Sequence, residues 1–142
     1  MKKYYVVGFL FSDDYSQVVL IKKSKPDWQK GLYNGVGGKI EMYDESPLSA
    51  QKREFKEEAG LEIENWSEFL KIEGDNSVIY FFRAVGDVES VKTVENVGKE
   101  VTVHNVDRLL DNLGICVPNL RWVLPLALTN DDFKFKGTIS ID

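Results

Sequence analysis

Residues 37–61 read GGKIEMYDESPLSAQKREFKEEAGL, a stretch that ends with three closely spaced glutamates, Glu54, Glu57 and Glu58. Glu57 and Glu58 follow Glu54 by three and four residues, the spacings that place side chains together on one face of a helix. Like charges so placed destabilise a helix by roughly 0.2–0.5 kcal/mol per pair. Because hard cations such as Mg²⁺ prefer carboxylate oxygens, the spacing predicts a divalent-metal site. The alternative on spacing alone is a solvent-exposed acidic face interspersed with lysines.

A helix over 47–59 is predicted by signals at both of its ends. Ser46 is a suitable N-cap, and Pro47 suits the first helical position because its missing N–H has no partner to lose there. Gly60 is a suitable stop, since glycine adopts the left-handed conformation without strain. The expected apolar stripe consists of Leu48, Phe55 and Ala59, with Ala50 above the glutamates instead. The helix is therefore expected to have a core face and a separate acidic face.

The segment before this helix is rich in glycine. Gly31–Gly38, GLYNGVGG, holds four glycines in eight residues. It predicts a short strand that runs into a tight turn, where the backbone approaches another group closely. A glycine there can lend its backbone carbonyl to a metal ion, because no side chain blocks the approach. Arg53, one residue before the first glutamate, can pair with a neighbouring carboxylate and orient it.

The remaining segments predict a single α/β domain over residues 1–142, in which helices pack on one mixed sheet. Predicted strands cover 4–12 and 18–21 as a hairpin, 66–72 and 77–84 joined by a turn at 74–76, and 100–104. Helices are expected at 106–112 and 119–128, and a closing strand at 133–141. The run VIYFF at 78–82 is apolar enough for a central strand.

Composition and charge narrow the range of partners. The chain has 142 residues, of which 43% are hydrophobic and 29% charged, as in ordinary globular domains. Its apolar runs fall short of the roughly 20 residues that a membrane helix needs. The formal net charge of −5 disfavours a long nucleic acid, whose binding depends on many lysine and arginine contacts. A small phosphorylated ligand stays compatible, because a metal ion can neutralise its charge.

The N-terminus and the single cysteine bear on the cellular compartment. Two lysines and an apolar run superficially resemble a secretion signal, but Asp13 and Asp14 close the run without a small-residue cleavage site, so a strand is predicted. Cys116, the sole cysteine, cannot form an internal disulfide, which favours a reducing cytoplasm. We interpret it as a small buried hydrophobe rather than a catalytic thiol.

Residues 37–61 closely resemble the Nudix box, which is a glycine, five residues, a glutamate, seven residues and then R-E-U-x-E-E-x-G-U, where U is apolar. From Glu45 onward the chain matches every fixed position. One departure lies in the preceding loop. Six residues separate Gly38 from Glu45, one more than the family spacing, and Tyr43-Asp44 replaces the usual turn glycine.

Two further segments, GLYNGVGGKIE at 31–41 and VPNLRWVLPLAL at 117–128, are similar to the MutT-type branch of that family. That branch includes enzymes that hydrolyse oxidised purine nucleoside triphosphates. The resemblance covers most of residues 3–128 and implies an αβα sandwich, a mixed sheet flanked by helices. It also implies a Mg²⁺-dependent hydrolase of nucleoside diphosphates linked to another group, with Mn²⁺ as an alternative ion.

Carried over residue by residue, the resemblance implies a metal site and its catalytic groups. The Gly37 carbonyl, Glu57 and Glu58 would hold the ion. Glu54 would contact the ion through a bound water or help to deprotonate the nucleophile. Arg53 would orient the carboxylates.

Other candidate site residues lie outside the box. Members of the family often add one acidic residue from a later segment, here Glu100, which opens a predicted strand, or alternatively Glu95. Asn34 stands where related enzymes hydrogen-bond a purine, and its alternative is a turn asparagine. Asn119 reads a base or caps the following helix, and the cap is favoured. Lys23 is a candidate phosphate contact, although lysines after a strand usually face water.

The predicted activity is hydrolysis of a nucleoside triphosphate, such as a modified purine nucleotide, to a monophosphate and pyrophosphate. The enzyme is expected to be a cytoplasmic monomer or homodimer. One alternative is a pyrophosphatase of ADP-ribose or another nucleotide sugar. Another is a nucleotide-binding module without turnover, which the intact glutamates disfavour. Trp28 and Trp122 are interpreted as packing residues rather than stacking platforms, and His104 as a structural residue.

Overall fold

Strand β1, Lys3–Phe11, runs through the middle of the sheet and separates two cores. Val6 and Leu10 pack into one core, and Phe9 and Phe11 pack into the other. Successive side chains of a strand point to opposite faces, so an almost continuous apolar run can be buried on both sides. The N-terminal run is therefore a strand, as predicted.

The computed structural model describes residues 1–94, 99–129 and 135–141. Its further strands are β2 (Gln17–Lys22), β3 (Tyr33–Asn34), β4 (Val36–Lys39), β5 (Ser67–Glu73), β6 (Ser77–Val85), β7 (Glu100–Asn105) and β8 (Gly137–Ser140). Its helices are α1 (Pro47–Ala59), α2 (Val106–Leu110) and α3 (Leu120–Ala127). The strand order is β3-β2-β1-β6-β5-β8, with β4 also paired to β1 and β7 to β2. None of the described helices is long and apolar enough to span a membrane.

The two cores place helices on both faces of this sheet. Helix α1 packs through Phe55 in the core that contains Val6. Helices α2 and α3 pack through Leu109 and Leu124 in the core on the other side. The molecule is thus the αβα sandwich, with a mixed sheet flanked by helices, that the sequence predicts.

The strand pairings confirm both predicted hairpins and the central strand. β1 and β2 are antiparallel, and so are β5 and β6 across the turn at 74–76. β6, which contains VIYFF, pairs in parallel with β1 on its other edge. The closing strand is shorter than predicted, because β8 begins at Gly137; residues 133 and 134 lie outside the described part of the chain. Helix α2 also ends early, at Leu110, in a turn.

The glycine-rich segment forms two short strands rather than one strand and a tight turn. Gly37 and Gly38 lie within β4, which pairs antiparallel with β1 in the register Val7↔Gly37 and Val6↔Gly38. A Cβ atom on Gly37 would collide with the Val6 carbonyl oxygen. The predicted turn is therefore wrong at these residues, because the glycines serve close pairing of the strands.

Helix α1 begins and ends at the predicted residues, Pro47 and Ala59. Ser46 Oγ accepts a hydrogen bond from the Ser49 N–H at 3.1 Å, which satisfies one of the free donors of the first turn. Gly60 ends the helix in the left-handed conformation, with φ of 69°. Both end signals are local, and both act as expected.

The buried face of α1 differs from the predicted stripe. Leu48 is 36% exposed, whereas Gln51 is fully buried and Ala50 belongs to the core rather than to the acidic face. Gln51 donates from Nε2 to the Val36 carbonyl at 3.1 Å, and its amide fills the space beside Gly8. The buried row, spaced by four residues, is Gln51, Phe55 and Ala59. A polar residue takes a core position here with its Nε2 bonded to a backbone carbonyl, while its buried Oε1 has no hydrogen-bond partner among the described residues.

Cys116 is a free thiol, 3% exposed, in the core beside α2 and α3. Burial raises its pKa to about 11. Because the thiolate is the reacting form, we expect a thiol reagent such as dithionitrobenzoate to label the native protein at pH 8 roughly 100-fold more slowly than the unfolded protein. Similar labelling rates for the two states would contradict the buried position.

Candidate active site

The acidic cluster consists of the carboxylates of Asp44, Glu54, Glu57 and Glu58. The guanidinium of Arg53 binds three of these, and it uses all five of its N–H donors. Nε and Nη2 donate to Asp44 Oδ1 and Oδ2, each at 2.8 Å. Nη1 donates to Glu54 Oε1 at 3.0 Å and to Glu57 Oε2 at 3.2 Å. Nη2 also donates to the Lys39 carbonyl at 3.2 Å. These contacts tie the loop before α1, strand β4 and helix α1 together, and they hold two of the three glutamates in orientation.

The carboxylate that binds Arg53 from the loop belongs to Asp44 rather than to Glu45. The Asp44 side chain is 4% exposed and also accepts a hydrogen bond from the Glu41 N–H at 2.8 Å, whereas Glu45 is exposed. The hydrogen bonds from Arg53 lower the pKa of Asp44. Five residues separate Gly38 from Asp44, which is the family spacing, so the extra residue lies after this acid. The structure thus shows Asp44, one residue before the Glu45 of the sequence match, as the loop acid that binds Arg53.

Glu54 lies against the glycine strand. Its carboxylate carbon is 2.7 Å from the position that a Cβ atom on Gly38 would occupy, so residue 38 has no room for a side chain. The Glu54 side chain is 13% exposed. Burial raises the pKa of Glu54, the charge of Glu58 raises it further, and Arg53 opposes both effects. The carboxylate is therefore a stronger base than that of a free glutamate.

Glu58 is almost fully buried, at 4% exposure, and is paired with Lys99. Lys99 Nζ donates to Glu58 Oε1 at 2.7 Å, while Oε2 has no partner among the described residues. Burial raises the pKa of Glu58, and the contacts with Lys99 oppose that rise. Lys99 carries no motif signal. It follows Glu58 by 41 residues, so only the fold brings the two together.

Glu57 is the solvent-exposed member of the three glutamates. Its side chain is 52% exposed, and its ion-pair partner is Arg53. As the side chains stand, no group of three or more acidic, histidine or cysteine residues within 1–94, 99–129 and 135–141 is spaced to hold a metal ion. The donor chemistry nevertheless suits a hard cation, because Glu58 Oε2 has no partner in the part of the chain that the structure describes and Glu54 is largely desolvated. The residues present therefore fit a divalent ion.

The remaining predicted ligands are less closely tied to this cluster. Gly37 lies in β4, one residue before the glycine that contacts Glu54. Glu100 begins β7, is exposed, and lies opposite Lys22 in the pairing of β2 and β7. Glu95 lies outside the described residues. Ligation by Gly37 or Glu100 accordingly stays a prediction.

A cleft of about 380 Å³ adjoins the cluster, and its lining includes Lys23, Asn34, Gly37, Gly38 and Ile79. Such a volume suits a small-molecule ligand. Burial lowers the pKa of Lys23, the charge of Lys99 lowers it further, and the charges of Glu58 and Glu54 oppose these effects. Lys23 is thus half-buried close to the carboxylates instead of facing water, and its contact with phosphate stays a prediction.

The two asparagines have different surroundings. Asn34 lines the cleft, and its Oδ1 accepts a hydrogen bond from the Gly35 N–H at 2.8 Å. The Asn34 side chain therefore makes the local hydrogen bond expected of a turn asparagine, and it also lines the cleft. Asn119 precedes α3, but its side chain makes no capping hydrogen bond, and its buried Oδ1 has no partner in the described segments. The favoured interpretation of Asn119 as a helix cap is wrong, because its backbone is already helical, with φ −69° and ψ −13°.

The interpretation of the two tryptophans as packing residues is also wrong. Trp28 is 65% exposed and lines the cleft, in a short 3-10 turn that buries none of its residues. Trp122, on α3, is 40% exposed. His104 instead packs edge-on against Tyr33 at 4.8 Å between ring centroids, the structural position expected for it. The error at Trp28 arises because an apolar residue in a polar loop gives no sign of what it faces.

The molecule is an αβα sandwich in which a carboxylate-bearing helix lies beside a cleft of ligand size. The family model described as the NUDIX domain matches residues 1–130. The chain belongs to the Nudix hydrolase family, whose members are pyrophosphohydrolases that typically use divalent metal ions. A search of curated proteins found no match.

Solved structures share this fold at low sequence identity. A structure from a study of MutT of Aliivibrio salmonicida and Vibrio cholerae is 23% identical, covers 89% of this chain and 94% of its own, and has a TM-score of 0.70. A NUDIX hydrolase from Nitrosomonas europaea is 16% identical, with coverages of 99% and 78% and a TM-score of 0.77. The NUDIX domain of Shewanella oneidensis NrtR, solved with ADP ribose, is 19% identical, with coverages of 78% and 77% and a TM-score of 0.66.

Proposed function

We propose that this protein is a Mg²⁺-dependent nucleoside triphosphate pyrophosphohydrolase, active also with Mn²⁺, that releases a nucleoside monophosphate and pyrophosphate. The observation that carries the proposal is the group of Arg53 and three glutamates beside a cleft that is lined by a half-buried lysine, Lys23. Reactions at phosphorus need positioning and charge neutralisation more than covalent chemistry. The cluster offers positioned groups, and the divalent ion that it would hold would neutralise the charge.

Each member of the cluster has a role in this proposal. Glu57, Glu58 and the Gly37 carbonyl would hold the ion, with Glu100 as a further ligand. A bound divalent ion would lower the pKa of a water molecule bound to it and would neutralise the negative charge of the phosphate oxygens. Glu54, whose pKa burial raises, accepts the proton of the attacking water. Arg53 keeps Glu54 and Glu57 in place through its Nη1 donors.

The cleft supports a nucleotide as the ligand. Lys23, which lines the cleft, would contact phosphate, and Asn34 would hydrogen-bond a purine edge. Asn119 would contribute its buried Oδ1, which has no hydrogen-bond partner within the described residues and suits a donor on a base. Trp28 offers an exposed ring on which a base can stack. A modified purine nucleoside triphosphate is therefore the substrate class that we propose.

A panel assay with product identification tests this function. Purified protein with Mg²⁺ is incubated with ordinary and oxidised purine and pyrimidine nucleoside triphosphates, ADP-ribose and nucleotide sugars. The products are then separated chromatographically. We expect a monophosphate and pyrophosphate in equal amounts from a purine triphosphate. Absence of phosphate-containing products across the panel would overturn the proposal.

A second candidate substrate is ADP-ribose or another nucleotide sugar. It is favoured by the shared fold with the NrtR domain that was solved with ADP ribose. The same panel separates the two, because this reaction gives a nucleoside monophosphate and a sugar phosphate without pyrophosphate. A nucleotide-binding module without turnover is the third reading, and it predicts nucleotide binding with no products.

The cellular setting follows from the same residues. We propose a cytoplasmic protein that acts on free nucleotides, binds no membrane or long nucleic acid, and is a monomer or homodimer. A single buried cysteine and a formal net charge of −5 support this assignment. We also propose one Nudix domain over residues 1–142, because β8, beyond the matched 1–130, pairs with β5 in the same sheet.

Replacing Trp28 with alanine is expected to raise the KM for the nucleotide about tenfold, since stacking of a base on an aromatic ring contributes about 1–3 kcal/mol. The kcat and the thermal unfolding temperature should change little, because Trp28 is 65% exposed. Trp122→Ala removes an exposed tryptophan on α3 and is the matched control. Equal KM values for wild type and Trp28→Ala would show that the base binds elsewhere.

A further inference from the structure

Lys99 binds a carboxylate that is also a candidate metal ligand. Its Nζ donates to Glu58 Oε1 at 2.7 Å, and the two side chains are 24% and 6% exposed. A buried carboxylate that loses its partner is costly, so a positive neighbour stabilises the ionised form of Glu58. An ammonium group and a divalent ion therefore satisfy the same need of the same side chain.

Lys99 is part of a compact group of opposite charges. Lys23 lies close enough for the charges of Lys99, Glu58 and Glu54 all to influence it. Two ammonium groups and two carboxylates then balance in a poorly hydrated region. A divalent ion added to Glu58 would repel both lysines, and this repulsion would be relieved once a polyphosphate arrives with compensating negative charge.

The available donors indicate where a displaced Lys99 can go. Arg53 has all five donors engaged with protein oxygens, so it has none to offer to phosphate. Lys23 lines the cleft, and Lys99, which has a long, flexible side chain, immediately precedes the edge strand β7. Lys99 can therefore exchange a carboxylate for a phosphate oxygen while its backbone stays in place.

We propose that Lys99 is an exchangeable counter-ion, which competes with the divalent ion for Glu58 and moves to the phosphate chain when the nucleotide binds. This inference rests on the proposed function. Its consequence is cooperativity: free metal binds weakly because it must displace Lys99, and nucleotide strengthens metal binding by giving Lys99 a new partner. Reciprocal coupling of this kind commonly amounts to 5–150-fold in affinity.

Calorimetric titration with Mn²⁺, alone and with α,β-methylene-dGTP, tests the inference. We expect Lys99→Met to bind Mn²⁺ alone about 3–10-fold more tightly than wild type. The nucleotide should strengthen Mn²⁺ binding in wild type at least threefold more than in Lys99→Met. Lys52→Met is the charge-matched control, because Lys52 pairs with Glu64 rather than with Glu58, and it should titrate like wild type. Unchanged or weaker Mn²⁺ binding by Lys99→Met would overturn the inference.

Folding is measured in parallel by thermal unfolding in EDTA. Lys99→Met should unfold at a lower temperature than wild type. Mn²⁺ should raise the unfolding temperature of Lys99→Met by more than it raises that of wild type. Lys99→Gln keeps a hydrogen-bond donor to Glu58 without the charge, and it provides the same titration if Lys99→Met does not fold. The two proposals fail separately. Tighter Mn²⁺ binding by the variant without hydrolysis by wild type refutes only the function, and hydrolysis with unchanged Mn²⁺ binding refutes only the counter-ion role.

Discussion

Replacing Glu57 with glutamine is expected to lower the rate of nucleotide hydrolysis by about 100–1,000-fold, the size of effect seen when one preorganised electrostatic contact is lost. Glutamine keeps the shape of the side chain but removes the negative charge that the proposed metal site requires. Glu57 is 52% exposed and its ion-pair partner is Arg53, so the fold should tolerate the change. The measurements are kcat at saturating Mg²⁺, Mn²⁺ affinity by calorimetry, and thermal unfolding.

A matched substitution separates the site from a general effect of charge. Glu64→Gln removes the same charge from a side chain that is 75% exposed and paired with Lys52. We expect its turnover to equal that of wild type within experimental error. If Glu57→Gln also retained turnover within about threefold, the assignment of the acidic helix face as the catalytic site would fail. If wild type bound nucleotide but gave no product, the binding-module reading would gain support.

Replacing Arg53 with methionine is expected to destabilise the protein by about 3–5 kcal/mol, the usual cost of leaving a buried charge without its partner. The Asp44 side chain, 4% exposed, would lose both of its hydrogen bonds from the guanidinium. Turnover should fall as well, because Glu54 and Glu57 would lose the donor that orients them. Urea unfolding at pH 7 gives the stability change, and steady-state kinetics give the loss of activity.

The pH dependence of this destabilisation has a definite sign. Arg53 lowers the pKa of Asp44 in the folded protein below its unfolded value. The pair therefore stabilises the fold above the unfolded pKa, about 3.9, and this contribution is lost as the pH falls through the lower folded pKa. The difference in unfolding free energy between wild type and Arg53→Met should accordingly be largest near neutral pH and shrink in acid.

Two further variants test whether Asp44 is the cause. The double variant Asp44→Asn, Arg53→Met removes both charges and should be more stable than Arg53→Met alone. Arg53→Lys keeps the charge but has only three donors, and so it cannot serve Asp44, both glutamates and the Lys39 carbonyl together. A cost below about 1 kcal/mol for Arg53→Met would show that the buried pair is not a main support of the loop.

Local signals in the sequence predicted most of the helices and strands of the fold. Helix α1 runs between Pro47 and Ala59 as its cap and stop residues predict, because these act within one turn of the helix. The apolar run VIYFF became the central strand β6, since burial on both faces requires apolar residues throughout. The structure of the glycine segment was harder to predict. Its register against β1 depends on a strand more than twenty residues earlier, so the predicted turn was wrong at Gly37 and Gly38.

The sequence by itself determined that a helix carries three glutamates and an arginine, and that a glycine segment precedes it, because spacing and capping are properties of neighbouring residues. Only the tertiary structure decided that Asp44 takes the guanidinium, that Gln51 fills the core, that Lys99 pairs with Glu58, and that Trp28 faces the cleft. Each of these depends on the contact between separate segments, 41 residues apart for Lys99 and Glu58. Such contacts form where burial and charge are satisfied together in three dimensions, and a linear pattern does not record them.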